Sequence, residues 1–383
     1  GGTTCSGGVT ATTVTLTATT GTIQFDGALS ATTLNTAANG YSVTLNGGGT
    51  VTAAVLFTNT GSLTIDPSGF TFTGGASKVT GAKSFDGTIS STNAALNFGT
   101  AGAITLAGST TFSSGTGAIT LFDVTALNFN LVLQGSGADV LAAVSLGTGT
   151  LNLTGKTGGS VTVNGALTAA TLSTIGNAYN VAILGSGTTI TNLVTFSNIG
   201  GVTLGDAAAD TLTFNGGVTA TAPASKSIAG TIATSADAVN LGTSATTVTA
   251  NATITPGAAA ITLAAVTINS GVTLTLGAGA ATPVSTGTVS GAAASGNLAI
   301  NTTAAVTVAA VAGPNMGTVT ITNSGGTTFS GGVTATTVTL TATTGTIQFD
   351  GALTATTLNT AANGYNVTLN GGGTVTAAVA FTN

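Results

Sequence analysis

The chain has 383 residues, a formal net charge of −5, and only 4 lysines and 9 aspartates as charged side chains, with no histidine and no tryptophan. Charged residues make up 3% of it, against about a quarter of an ordinary soluble domain. Without arginine, and with only Lys78, Lys83, Lys156 and Lys226 as cations, it has no electrostatic footprint for nucleic acid; without histidine it lacks the usual general base and metal ligand.

Taken in chain order, the local patterns are those of strands. Val14-Thr15-Leu16-Thr17, Val43-Thr44-Leu45, Ile104-Thr105-Leu106, Ile119-Thr120-Leu121, Val161-Thr162-Val163 and Val272-Thr273-Leu274 alternate apolar and hydroxyl residues at period two. Their β-branched side chains suit a pleated, half-buried surface. Between them stand Asp26-Gly27, Asn39-Gly40, Asn46-Gly47, Asp86-Gly87, Asn164-Gly165 and Asn215-Gly216, pairs that tolerate positive φ and mark tight bends. No useful length shows helical apolar spacing, so the expected class is all-β. No run of 18 apolar residues occurs, so no helical membrane span is expected despite a mean hydropathy of +0.56. The single cysteine, Cys5, excludes an internal disulfide. The opening Gly1-Gly2-Thr3, without Met or a signal-peptide pattern, and the close at Phe381-Thr382-Asn383 read as those of a piece of something longer.

Repeats organise the chain. Residues 1–59 recur as 325–383, with four differences: Cys5 against Phe329, Ser30 against Thr354, Ser42 against Asn366, and Leu56 against Ala380. The domain expectation is one full tandem repeat, 1–324, followed by the start of the next, 325–383. An older repeat relates residues 27–59 to 165–198, matching Asn39-Gly40-Tyr41-Ser42-Val43 to Asn177-Ala178-Tyr179-Asn180-Val181. The finest beat is about 20 residues. Phe25, Leu45, Ile65, Phe85 and Leu106 keep it, as do Ile23, Val43, Leu63 and, breaking the apolar pattern, Lys83. The same beat is expected downstream at Val161/Val163, Val181/Ile183 and Val202/Leu204, and a period of 324 accommodates sixteen such rungs.

Two all-β architectures fit strands of this kind. A string of sandwich domains needs large aromatic cores, whereas only 4% of these residues are aromatic. A narrow core of Val, Leu, Ile, Ala and a few Phe, with a beat near 20, predicts a β-solenoid, each rung stacking on the one below. The positions after the anchors, Asp26, Asn46, Asp66 and Asp86, then form an Asx ladder along one corner. Such side chains ordinarily bond their own turn backbone. A cation site where Asp66 and Asp86 stack is the alternative, disfavoured because the glycine-aspartate nonapeptides of calcium-binding rolls are absent.

The Val-Thr-Leu, Ala-Thr-Thr-Leu and Asn-Gly-Gly-Gly-Thr-Val-Thr strings resemble those of the long β-strand-repeat adhesins of bacteria, the filamentous-haemagglutinin-like and autotransporter-passenger-like surface proteins. The Thr/Ala/Gly/Ser/Asn bias is also similar to that of bacterial S-layer proteins. The resemblance lies in composition and rhythm along the whole chain. It implies a right-handed parallel β-helix, export, and a role on or beyond the cell surface, and it brings no catalytic residues with it.

Individual candidates are few. Asp206 and Asp210, in Gly205-Asp206-Ala-Ala-Ala-Asp210, are the closest acidic pair; without Arg, His or Glu beside them they read as a polar loop rather than as a glycosidase pair. Thr-x-Thr strings suggest ice binding, but the column Gln24, Thr44, Thr64, Ser84, Thr105 is a single file of mixed polar residues. The sequons at Asn152, Asn251, Asn301 and Asn366 are what so threonine-rich a chain gives by chance. Cys5 in place of Phe329 reads as core drift, and Lys156 and Lys226 as solvated corners. No catalytic, cofactor-binding or metal-binding residue is assigned, and no enzyme is expected. The expected function is structural: a stiff extracellular filament, stalk or sheath built by self-association or tandem continuation. The shaft of an adhesin and an S-layer lattice subunit are the alternatives.

Overall fold

The computed structural model describes all residues except 18–19, 100, 293–294, 314–315 and 342–343. Its regular elements are all strands, and the strand pairings are parallel, as a chain winding repeatedly in one sense produces. The fold is a β-solenoid with about 21 residues per turn. The chain divides into two compact units, residues 1–190 and 191–383.

In the first unit each turn feeds three parallel sheets. The first sheet stacks Thr3–Cys5, Thr22–Phe25, Ser42–Leu45 and Leu63–Ile65, then the starts of Lys83–Ser90 and Ile104–Ser113, then Val124–Ala126, Val144–Ser145, Leu167–Ala169 and Thr188–Ile190. The second includes Leu29–Thr36, Gly49–Val51, Phe70–Phe72, Leu131–Gly135 and Thr150–Lys156. The third stacks Val55–Phe57, Ala76–Lys78, Leu96–Phe98, Ile119–Leu121, Ala138–Leu141, Ser160–Val163 and Asn180–Ile183. Alternate residues face inward, as the pleat requires. The expected column Phe25, Leu45, Ile65, Phe85, Leu106 is in register, and all five side chains are buried. The sheets meet across a narrow interior: Phe85 of the first, Phe112 of the second and Phe98 of the third lie with ring centroids 5.0 to 6.0 Å apart.

Two expectations about the beat change. Val161/Val163 and Val181/Ile183 belong to the third sheet and not to the first, where Val43 and Leu45 lie. The older repeat thus returns on a different face, because the first-sheet column of Val43 runs through Leu63, Lys83, Ile104, Val124, Val144 and Leu167 to the strand Thr188–Ile190, and its counterpart Val181 falls between the last two. At about 21 residues per turn, a 324-residue period holds about fifteen turns rather than sixteen.

The second unit is built alike. One inward column runs Ile232, Ile254, Leu276, Ile300, Ile321, Leu340, all fully buried. Strands Thr346–Phe349, Leu353–Thr360, Asn366–Leu369 and Gly373–Val375 repeat the register of Thr22–Phe25, Leu29–Thr36, Ser42–Leu45 and Gly49–Val51.

The corners also differ from expectation. Of the six Asx-Gly pairs, only Asp86-Gly87 places its glycine at positive φ (77°). Gly27 and Gly47 serve close approach instead: a Cβ on Gly47 would lie 2.2 Å from the Gly27 carbonyl carbon, and one on Gly27 would lie 2.3 Å from that of Gly7. Successive turns rest backbone on backbone there, which only glycine allows.

Candidate functional site

The cations of this chain lie inside it, while most of its aspartates lie at the surface. All four lysines occupy inward strand positions and are 0 to 3% exposed. Lys78 stands in register with Phe57 in the third sheet, and its Nζ donates to the Asn59 main-chain oxygen at 2.7 Å. Burial, with Lys83 nearby, lowers its pKa from 10.5 to about 8. Lys83 stands in register between Leu63 and Ile104, and Nζ donates to the carbonyls of Gly81, Ala101 and Gly102; burial again lowers its pKa.

Lys156 and Lys226, expected as solvated corners, are the clearest corrections. Lys156 forms a salt bridge of 2.6 Å with Asp139, both side chains fully buried, and also donates to Gly137 O at 2.9 Å. It turns inward because the strand slips register between Val132 and Gln134, shifting the alternation of Leu151 and Leu153 by one residue. Asp139 lies in an inward column with Val161 and Val181, and its Oδ1 accepts the Ile119 N–H at 2.9 Å. Burial raises the Asp139 pKa against the opposing pull of Lys156 and that N–H. Lys226 follows Val202 in register and donates to Ser244 Oγ, which in turn donates to Pro223 O; burial lowers its pKa.

Three tyrosines, to which the sequence reading gave no role, tie corners. Tyr41 Oη accepts from Ala37 N and donates to Leu16 O, each at 3.0 Å; Tyr365 repeats this with Ala361 and Leu340, and Tyr179 accepts from Ile175 N. The signal was present in the sequence, since the repeats preserve Tyr within Asn-Gly/Ala-Tyr-Ser/Asn-Val. Asn59 adds the next layer, donating Nδ2 to Tyr41 O at 3.0 Å, so that Tyr41, Asn59 and Lys78 form one buried polar stack over successive turns.

The Asx corner behaves as a ladder where bonds link its members. Asn46 Nδ2 and Gln24 Nε2 both donate to Asp26 Oδ1, and Asn370 and Gln348 do the same to Asp350. Asp66 and Asp86 come directly after the paired Ile65 and Phe85. Among the described residues no three His, Cys, Asp or Glu side chains group to hold a metal ion. Asp210 Oδ2 accepts the N–H groups of Asp206 and Ala207 at 2.9 and 2.8 Å, closing a turn of its own loop. The Gln24, Thr44, Thr64, Ser84, Thr105 file is in register and faces outward, half-buried except for the exposed Thr105. Cys5 is half-buried against Phe25 in register, where Phe329 stacks on Phe349 at 5.0 Å. Depressions lined by Thr10, Ser30 and Thr50, and by Thr334, Thr354 and Thr374, present hydroxyls and methyls with no titratable group.

No helix among the described residues is long and apolar enough to cross a membrane. Comparison of the chain with protein-family models, with curated proteins and with solved structures finds no match.

Proposed function

We propose that this chain is a structural protein, a stiff extracellular filament, stalk or sheath that elongates by stacking further turns of the same coil. The observation that carries the reading is where the polar chemistry goes. All four cations are consumed inside, on carbonyls, Ser244 and Asp139, and the outward columns carry mainly short hydroxyl and amide side chains with scattered aspartates. Such a surface carries only scattered carboxylates of one sign for salt to screen, and among the described residues they stand without a cation beside them to act on a substrate.

The solenoid supplies the mechanics: main-chain hydrogen bonds run from turn to turn along the axis, and side-chain ladders repeat at the same spacing. Self-association at open sheet edges, or covalent continuation of the repeat, would extend it.

Cryo-electron microscopy of the native material tests this. A long fibre with a meridional reflection near 4.8 Å and an axial repeat of about 74 Å, fifteen-odd turns, is the expected result. Rods ending in a distinct head would reassign the chain to an adhesin shaft, and a planar array would reassign it to an S-layer lattice.

A further inference from the structure

A chain that uses so few charges places one opposite pair, Asp139 and Lys156, where no water reaches either side chain. Burying two ions is costly even when they touch, since each loses its hydration. Their contacts are also unusually directed. Lys156 Nζ lies 2.6 Å from Oδ2, while the Ile119 N–H points at Oδ1 from the neighbouring turn and Gly137 O receives a second Nζ hydrogen.

We propose that this pair condenses to an intramolecular isopeptide bond between Lys156 Nζ and Asp139 Cγ, a covalent staple between neighbouring turns.

The step balances without a co-reactant. A proton passes from the ammonium to Oδ2, giving a neutral amine and a neutral acid; burial favours the protonated carboxyl. The nitrogen lone pair attacks Cγ, and negative charge develops on Oδ1, where the Ile119 N–H already stands as an oxyanion donor. A second proton moves from nitrogen to Oδ2, the Cγ–Oδ2 bond breaks, and one water leaves. The contact between the reacting groups supplies the proximity that such condensations need, and the dry core removes the water that would reverse it. The product is neutral. Its carbonyl keeps the Ile119 N–H, and its amide N–H keeps Gly137 O.

The test is the mass of the full chain, followed by digestion. With no arginine, trypsin can cut the unfolded chain only after Lys78, Lys83, Lys156 and Lys226. The expected result is an intact mass about 18 Da, one water, below that of the sequence. After denaturation the digest should lack cleavage at Lys156 and yield a peptide 84–226 that is lighter by the same water and fragments as a 139–156 loop. The variant Lys156→Arg, which keeps the charge but cannot form this bond, should recover the full sequence mass. A full-mass chain cut normally at Lys156 would overturn the proposal and leave an ion pair only. So would a water loss that persists in Lys156→Arg or maps to an Asp-Gly succinimide. If the variant does not fold, the wild-type map alone decides.

Discussion

Lys78 gives the sharpest test of the interior. Its side chain is fully buried in register with Phe57, and its pKa falls from 10.5 to about 8. Between these two values the unfolded chain holds a proton that the folded chain has released, so folding stability rises with pH across that window. Below pH 8 both states are protonated, and the folded state carries the full cost of a buried charge. The separation of about 2.5 pKa units corresponds to about 3 kcal/mol. Lys78→Met keeps the length and apolar stem of the side chain but has nothing to titrate. At pH 7 the variant escapes the charge but leaves the Asn59 carbonyl without its donor, a loss of about 1–3 kcal/mol, so the two effects nearly cancel. At pH 10.5 only the loss remains. Urea midpoints of wild type and variant, measured from pH 7 to 10.5, should therefore diverge in favour of wild type by about 3 kcal/mol. Parallel curves, agreeing within about 0.5 kcal/mol at both ends, would refute the assignment of a buried, titrating Lys78.

Other consequences can be checked by similar means. Tyr41→Phe orphans the Ala37 N–H and the Leu16 carbonyl and should cost about 2–3 kcal/mol in thermal or urea unfolding, with the same loss for Tyr365→Phe. Gly47→Ala forces a Cβ to within 2.2 Å of the turn below, whereas Gly40 has open space around it; the first should cost about 3 kcal/mol or more and the second less than about 0.5. Phe85→Ala opens the junction of three sheets beside Phe98 and Phe112 and should cost about 3–5 kcal/mol. Native chain incubated with trypsin should stay intact at Lys78, Lys83 and Lys226 and be cut there after denaturation, because cleavage of a buried site follows local opening.

Much of the fold was legible because a strand writes its inside and outside as a period of two and a solenoid writes its stacking as a period near 20. The column from Phe25 to Leu106 needed nothing more. The fate of the lysines was less legible for two different reasons. Lys226 sits two residues before the buried Ile228 and could have been placed inward by alternation; its Gly/Ser/Ala surroundings suggested a surface instead. Lys156 could not, since the slip that turns it inward depends on how the strand beneath it bulges. The glycines at Gly27 and Gly47 mislead similarly. Sequence shows a bend, while the space that demands glycine is made by another turn.

The displacement of the older repeat from one sheet to another bears on how such a coil can grow. In the first unit, Ser42–Leu45 and its counterpart Asn180–Ile183 carry related sequences on different sheets, and each fits its own column. The first and third sides thus host the same segment, each burying its apolar residues at alternate positions, Val43 and Leu45 on one and Val181 and Ile183 on the other. Duplication therefore need not copy a whole number of turns, since this displaced copy still stacks in register. A lineage can lengthen such a chain by a fraction of a turn, and a copy displaced in this way carries its surface features to a fresh azimuth around the axis.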